Sequence, residues 1–133
     1  QVLELPISAA LHRKMPRALA LAIARAPKPY QTKRVLKKLG VARMMWLRPS
    51  YSSLDDMKAL ARRLVDAGEP LLNLLFHSSE AIVGGSPYNR TAAELESFLD
   101  RLDRFLAYAT RELKAEPVTF REFRDRFVTS AQV

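Results

Sequence analysis

The sequence contains no cysteine, only four glycines and one tryptophan, and no uninterrupted apolar run long enough to span a bilayer. The absence of cysteine excludes disulfide bonds and thiolate metal sites, although it does not identify a cellular compartment. A membrane helix requires about 20 consecutive apolar residues, so we expect no membrane partner. A chain of 133 residues is long enough for one globular domain with a core of its own.

The start of the chain has no basic stretch followed by an apolar core, which is the pattern of a secretory leader. On this ground the sequence predicts a cytoplasmic location. The first residue is Gln1 rather than methionine, in a segment typical of a strand. We therefore expect this chain to be part of a longer protein or a processed product. The sequence does not indicate an oligomeric state.

Positive charge is concentrated in the first part of the chain, although the net charge of the whole is +8. Residues 1–48 contain 11 of the 22 Lys and Arg residues but a single acid, Glu4. Such a basic segment is compatible with nucleic acid or another anionic polymer as a partner. Its aromatic residues, Tyr30 and Trp46, are isolated rather than interleaved with the basic ones, which argues against nucleic acid.

The order of predicted elements is strand, helix, strand, helix, strand, helix. Alternating or continuous apolar residues predict strands at 2–8, 42–49 and 71–76. Apolar spacing and caps predict helices at 17–26, at 32–40, from Ser53 to Gly68, and from the Thr91–Glu94 capping box onward. A last helix is predicted to open at Thr119 and to turn three side chains inward: Phe120, Phe123 and Phe127. This order is typical of an α/β fold with parallel strands and flanking helices.

The apolar run 71–76 ends abruptly in polar residues. His77 follows it directly, and in parallel α/β proteins reactive groups gather at the carboxyl ends of strands. Imidazole transfers protons near neutral pH, so His77 is a candidate catalytic residue. A histidine in this place is also often purely structural, and Gly84-Gly85-Ser86-Pro87 is equally well explained as a turn. The two histidines, His12 and His77, are not at metal-ligand spacing.

Residues 71–118 resemble the closing section of the polysaccharide deacetylase family, whose members carry a NodB-homology domain and are carbohydrate esterases. Three features carry the resemblance: the strand ending "LLFHSSE", the loop "GGSPYNRT", and the long helix that leads to "PVTFREF". The "LLFH" segment is similar to the last family motif, a hydrophobic strand that ends in Leu-x-His. Phe76 stands where many members have Leu or Met.

The resemblance implies the later βα units of a distorted (β/α)7 barrel and a hydrolase that removes N-acetyl groups from a carbohydrate. It implies that His77 is the general acid, and four further residues are expected to contact the sugar: Arg48, Glu80, Ser86 and Tyr88. The family's catalytic Asp and its Asp-His-His metal ligands belong to an earlier half that is absent here. Zinc or another divalent metal is therefore implied for the longer protein, and none for this chain.

Two alternatives remain open at the level of sequence. One is a small basic α/β module that binds nucleic acid or an anionic polymer through residues 1–48. The other is a deacetylase-like scaffold without activity. The longer protein is thus expected to be a hydrolase of carbohydrate metabolism, while this chain alone is expected to be inactive.

Overall fold

A computed structural model describes residues 4–11 and 44–130. The described part contains two short strands, β1 (Ala9–Leu11) and β2 (Met44–Trp46), and three helices, α1 (Leu54–Asp66), α2 (Ala92–Arg111) and α3 (Phe120–Ser130). A 3₁₀ turn, Ser78–Ala81, lies between α1 and α2. The helices predicted at 17–26 and 32–40 lie outside the described residues. Within the described ranges, no helix has both the length and the apolarity needed to cross a bilayer.

The helices form where the capping signals place them. The Ser53 hydroxyl accepts a hydrogen bond from the Asp56 amide at 3.2 Å and so begins α1. The Thr91–Glu94 pair forms the reciprocal capping box at the start of α2. The Thr119 hydroxyl likewise accepts from the Glu122 amide at 3.2 Å where α3 begins. These three helix starts confirm the sequence predictions.

The two strands run antiparallel, with Ala9 opposite Trp46, whereas the sequence predicted parallel strands. β1 begins just after the strand predicted at 2–8, and β2 lies within the one predicted at 42–49. Apolar alternation determines which face of a strand is buried, but it does not encode the direction of the neighbouring strand. In β2 and just after it the alternation is present, because Met45 and Leu47 are buried and Met44 is exposed. The described part shows a two-stranded sheet with three helices, so the barrel stays a prediction.

The apolar segment 71–77 is extended but does not form a regular strand. The Leu75 amide donates to the Leu47 carbonyl at 3.0 Å, which places the segment beside the end of β2. The Asn73 amide instead donates to the Ser8 hydroxyl at 2.8 Å. A side-chain oxygen here replaces a backbone acceptor, and the ladder of a regular strand is interrupted. The strand predicted at 71–76 is therefore wrong as a regular element.

The core lies between β2, α1 and α2. Its buried members are Met45, Leu47, Met57, Leu60, Ala61 and Phe105. Phe105 comes from α2, and α1 contributes Met57, Leu60 and Ala61. Apolar packing therefore holds the two helices together. The predicted inward orientation of the α3 phenylalanines is only partly correct: Phe123 is half-buried, while Phe120 and Phe127 are exposed.

We predict that Phe105→Ala lowers the free energy of unfolding by about 3 to 5 kcal/mol, because it removes a buried ring and leaves a cavity. Leu106 is the next residue on α2 and is 45% exposed, so Leu106→Ala is the matched control with a loss of no more than about 1 kcal/mol. Urea unfolding followed by circular dichroism measures both. Equal losses in the two variants would contradict the placement of the core.

Candidate functional site

The centre of the site is a buried ion pair between Arg48 and Glu80. Arg48 follows β2, and Glu80 lies in the 3₁₀ turn 78–81, 32 residues later in the chain. The Arg48 Nη2 and Glu80 Oε1 atoms are 2.5 Å apart, and the Glu80 side chain is only 1% exposed. The Ser50 hydroxyl donates to the other carboxylate oxygen, Oε2. Both oxygens of Glu80 are therefore hydrogen-bonded by residues that follow β2.

These contacts control the ionisation of Glu80. Burial by itself raises the pKa of this carboxyl group, because it removes the charged form from water. The hydrogen bonds from Ser50, Arg48 and the His77 amide, with the positive charge of Arg48, together outweigh burial and hold the pKa below its ordinary value of 4.5. A lowered pKa means that this carboxylate stabilises the fold at neutral pH. The contribution is lost as the pH falls from 4.5 through the lowered pKa.

His77 lies on the surface beside this pair. Its amide donates to Glu80 Oε1 at 3.3 Å, and its carbonyl accepts from the Glu80 amide at 2.9 Å. The preceding residue, Phe76, packs edge-on against the buried ring of Phe98 in α2, with ring centroids 5.7 Å apart. The backbone that carries the imidazole is thus held from two sides. Phe76 packs on Phe98, and Glu80 makes two hydrogen bonds to the His77 main chain.

Two exposed tyrosines lie next to Arg48. The rings of Tyr51 and Tyr88 are 5.2 Å apart with an interplanar angle of 56°, and their hydroxyl oxygens are 2.5 Å apart. The Arg48 guanidinium lies 4.4 Å from the centroid of the Tyr51 ring, and its Nε is buried with no acceptor among the described residues. The guanidinium is thus within the range of a cation–π interaction with the electron-rich face of the ring.

The loop between the 3₁₀ turn and α2 is held back onto that turn. The Asn89 side chain is buried, and its Nδ2 donates to the Glu80 carbonyl at 2.5 Å. Ser86 Oγ accepts a hydrogen bond from the Tyr88 amide at 3.3 Å, a contact within the loop. A Cβ at Gly85 would lie 2.6 Å from the Ser79 carbonyl oxygen, so a side chain at 85 would displace the loop. Gly85 therefore has a steric role here, whereas Gly84 lies at a positive φ of 73° with open space around it.

A cavity of about 400 Å³ adjoins this cluster, between the loop and α2. Its lining combines hydroxyl, amide, carboxylate and guanidinium groups with two aromatic rings. The residues that line it are Ser50, Tyr88, Asn89, Ala93, Glu94, Ser97, Phe98 and Arg101. This mixture of polar groups and a tyrosine suits a neutral, hydroxyl-rich ligand.

The structure brings together most of the residues that the sequence selected, but in different roles. Arg48 and Glu80 bind each other, and the Glu80 carboxylate is buried with both oxygens bonded within the protein. The sugar contacts expected of these two residues stay predictions. Tyr88 remains accessible, at 38% exposure. Sequence reasoning missed Ser50 and Tyr51. Ser50 and Tyr51 follow Pro49 at the end of a predicted strand, and that position was the signal that could have identified them.

The divalent metal that the resemblance implies belongs to the longer protein, and that expectation stays a prediction. Among residues 4–11 and 44–130, no three His, Cys, Asp or Glu side chains approach closely enough to hold a metal ion. The basic segment 1–48, the proposed surface for an anionic polymer, lies mostly outside the described ranges. That alternative stays a prediction.

No family model, curated protein or solved structure matches this chain. The resemblance to the polysaccharide deacetylases therefore rests on the motifs themselves.

We predict that Arg48→Met lowers the free energy of unfolding at neutral pH by about 3 to 5 kcal/mol, because it leaves a buried carboxylate without its cation. The double variant Arg48→Met/Glu80→Leu removes both charges and should recover most of that loss. Urea unfolding of both variants gives the comparison. The exposed pair Arg126–Glu116 is the control, since Arg126→Met should cost no more than about 1 kcal/mol. A loss of similar size in both single variants would contradict the central position of the buried pair.

Proposed function

We propose that this chain is the C-terminal part of a carbohydrate N-deacetylase and supplies its general acid, His77. The observation that carries the proposal is the exposed histidine whose main chain is hydrogen-bonded to a buried, paired carboxylate. The family resemblance of "LLFHSSE" and "GGSPYNRT" supports the reaction class. The geometry adds that the two motifs meet, since Asn89 of the second bonds to Glu80 of the first.

The reaction requires a proton at one atom. Hydrolysis adds water to the acetamide carbonyl and then breaks the carbon–nitrogen bond, which gives acetate and a free sugar amine. The sugar nitrogen departs readily only when it gains a proton as that bond breaks. In the proposal, the His77 imidazolium donates this proton from a ring nitrogen and is left as neutral imidazole, which solvent protonates again.

The surroundings of His77 suit a sugar ligand. Tyr51 and Tyr88 offer exposed aromatic surface, and a sugar ring presents C–H groups that pack on such surface. The adjoining cavity supplies Ser97 and Arg101 as hydrogen-bonding groups for sugar hydroxyls. In the proposal Tyr88 contacts the substrate directly, while Arg48 supports the tyrosines from beneath.

The divalent metal of the family enters only through the resemblance. The described residues do not assemble a site for it, so the role proposed for this chain is limited to proton donation and contact with the sugar. A partial domain also exposes surface that the rest would cover, and the exposed Ile7 and Met44 beside the strand pair are compatible with this.

We predict that His77→Ala lowers kcat of the longer protein about 10²- to 10⁴-fold on an N-acetylated chito-oligosaccharide, because the leaving amine loses its proton donor. The affinity of that protein for its metal should be almost unchanged. His12→Ala is the matched control, because His12 is the other histidine of the chain and has no role in the proposal. Acetate release and metal titration give the two readouts.

An unchanged kcat in His77→Ala would remove this residue from the mechanism. The 133-residue chain on its own should release no acetate from the same substrate. Acetate release by the isolated chain would show that all the catalytic groups are present in it. It would refute the proposal that this chain supplies only the general acid.

A further inference from the structure

We infer that Glu80 is a positioning residue for His77, acting through the main chain and not through contact with the sugar. The inference rests on the proposed function, since it assigns Glu80 a role relative to the proton donor. The sequence placed Glu80 among the sugar contacts, yet its side chain is 1% exposed and its two oxygens are already bonded within the protein.

Glu80 binds both main-chain polar groups of His77. Its Oε1 accepts from the His77 amide at 3.3 Å, and its own amide donates to the His77 carbonyl at 2.9 Å. Two bonds to one partner restrict rotation of the peptide groups on either side of the histidine Cα, where φ is −86° and ψ is 143°. The direction in which the imidazole leaves the backbone is thereby determined by the position of Glu80.

The position of Glu80 is in turn fixed from two other segments. Arg48 and Ser50, which follow β2, hold its carboxylate, and Asn89 from the next loop holds its carbonyl. An arrangement that places a catalytic side chain by a network of supporting hydrogen bonds is the usual means of preorganisation. The tyrosine of the sugar-contacting surface, Tyr88, is adjacent to Asn89, so the network couples the proton donor to that surface.

An ordinary helix cap does not require this arrangement. The described residues include two capping boxes with exposed carboxylates, at Glu94 and Glu122. Each begins a helix of 11 residues or more. Glu80 caps a turn of only four residues, yet its carboxylate is buried and paired with a guanidinium. Burying an ion pair carries a desolvation penalty that an exposed cap avoids. The extra contacts are explained if the turn must hold His77 in one place.

Amide hydrogen exchange of the 133-residue chain, followed by NMR, tests the inference without any assay of activity. In Glu80→Ala and in Arg48→Met/Glu80→Leu, the His77 amide should exchange about tenfold faster relative to the Phe105 amide than in the parent sequence. Glu94→Gln is the matched control: it alters a capping carboxylate that does not contact His77 and should leave that ratio within about twofold. The double variant contains no unpaired buried charge and should therefore fold. The exchange ratio can then be measured in it even if Glu80→Ala does not fold.

An exchange ratio within about twofold of the parent in either folded variant would overturn the inference. Loss of folding in both would also overturn it, since Glu80 would then serve global stability.

Kinetics of the longer protein separates positioning from binding. Glu80→Gln should lower kcat about 10- to 100-fold with KM almost unchanged, because the carboxylate does not touch the sugar. A raised KM with unchanged kcat would make Glu80 a binding residue and contradict the inference. If His77→Ala leaves kcat unchanged while the exchange result holds, the proposed function fails and the main-chain constraint remains.

Discussion

The arrangement of the site depends on one buried interaction, the pairing of the Glu80 carboxylate with the Arg48 guanidinium. A charge removed from water must be compensated nearby, so the segment after β2 and the 3₁₀ turn 78–81 have to meet at a defined distance. Ser50 and the His77 amide complete the hydrogen bonds of the carboxylate. The ion pair therefore imposes on two remote segments a geometry that the short strands alone would not impose.

The apolar core and this polar cluster make different contributions to the fold. Packing of α1 and α2 on β2 supplies stability through residues such as Leu60 and Phe105, and it places the end of β2 close to the start of α2. The polar cluster then determines how the segment after β2 and the 3₁₀ turn 78–81 lie against these helices. Phe76 links the two, because it packs on Phe98 of α2 and immediately precedes His77.

The three described helices could be predicted from the sequence because their signals are local. Ser53, Thr91 and Thr119 each cap a helix within their own first turn, and no distant residue is needed. The strands depend on partners: segment 71–76 reads as a strand from its apolar run, but the side chain of Ser8 interrupts its ladder. The burial of Glu80 could not be predicted from the sequence either, since a glutamate in a polar turn is normally exposed. Only the approach of Arg48, 32 positions away, reverses that expectation.

The most direct test of the central claim is the titration of the Glu80 carboxyl group itself, from the chemical shift of its carboxyl carbon between about pH 7 and pH 2. We expect the pKa of Glu80 to lie below the ordinary value of 4.5, and Arg48→Met to move the midpoint of its titration upward. A midpoint at or above that ordinary value in the parent sequence would contradict the claim that a paired, ionised carboxylate organises the site.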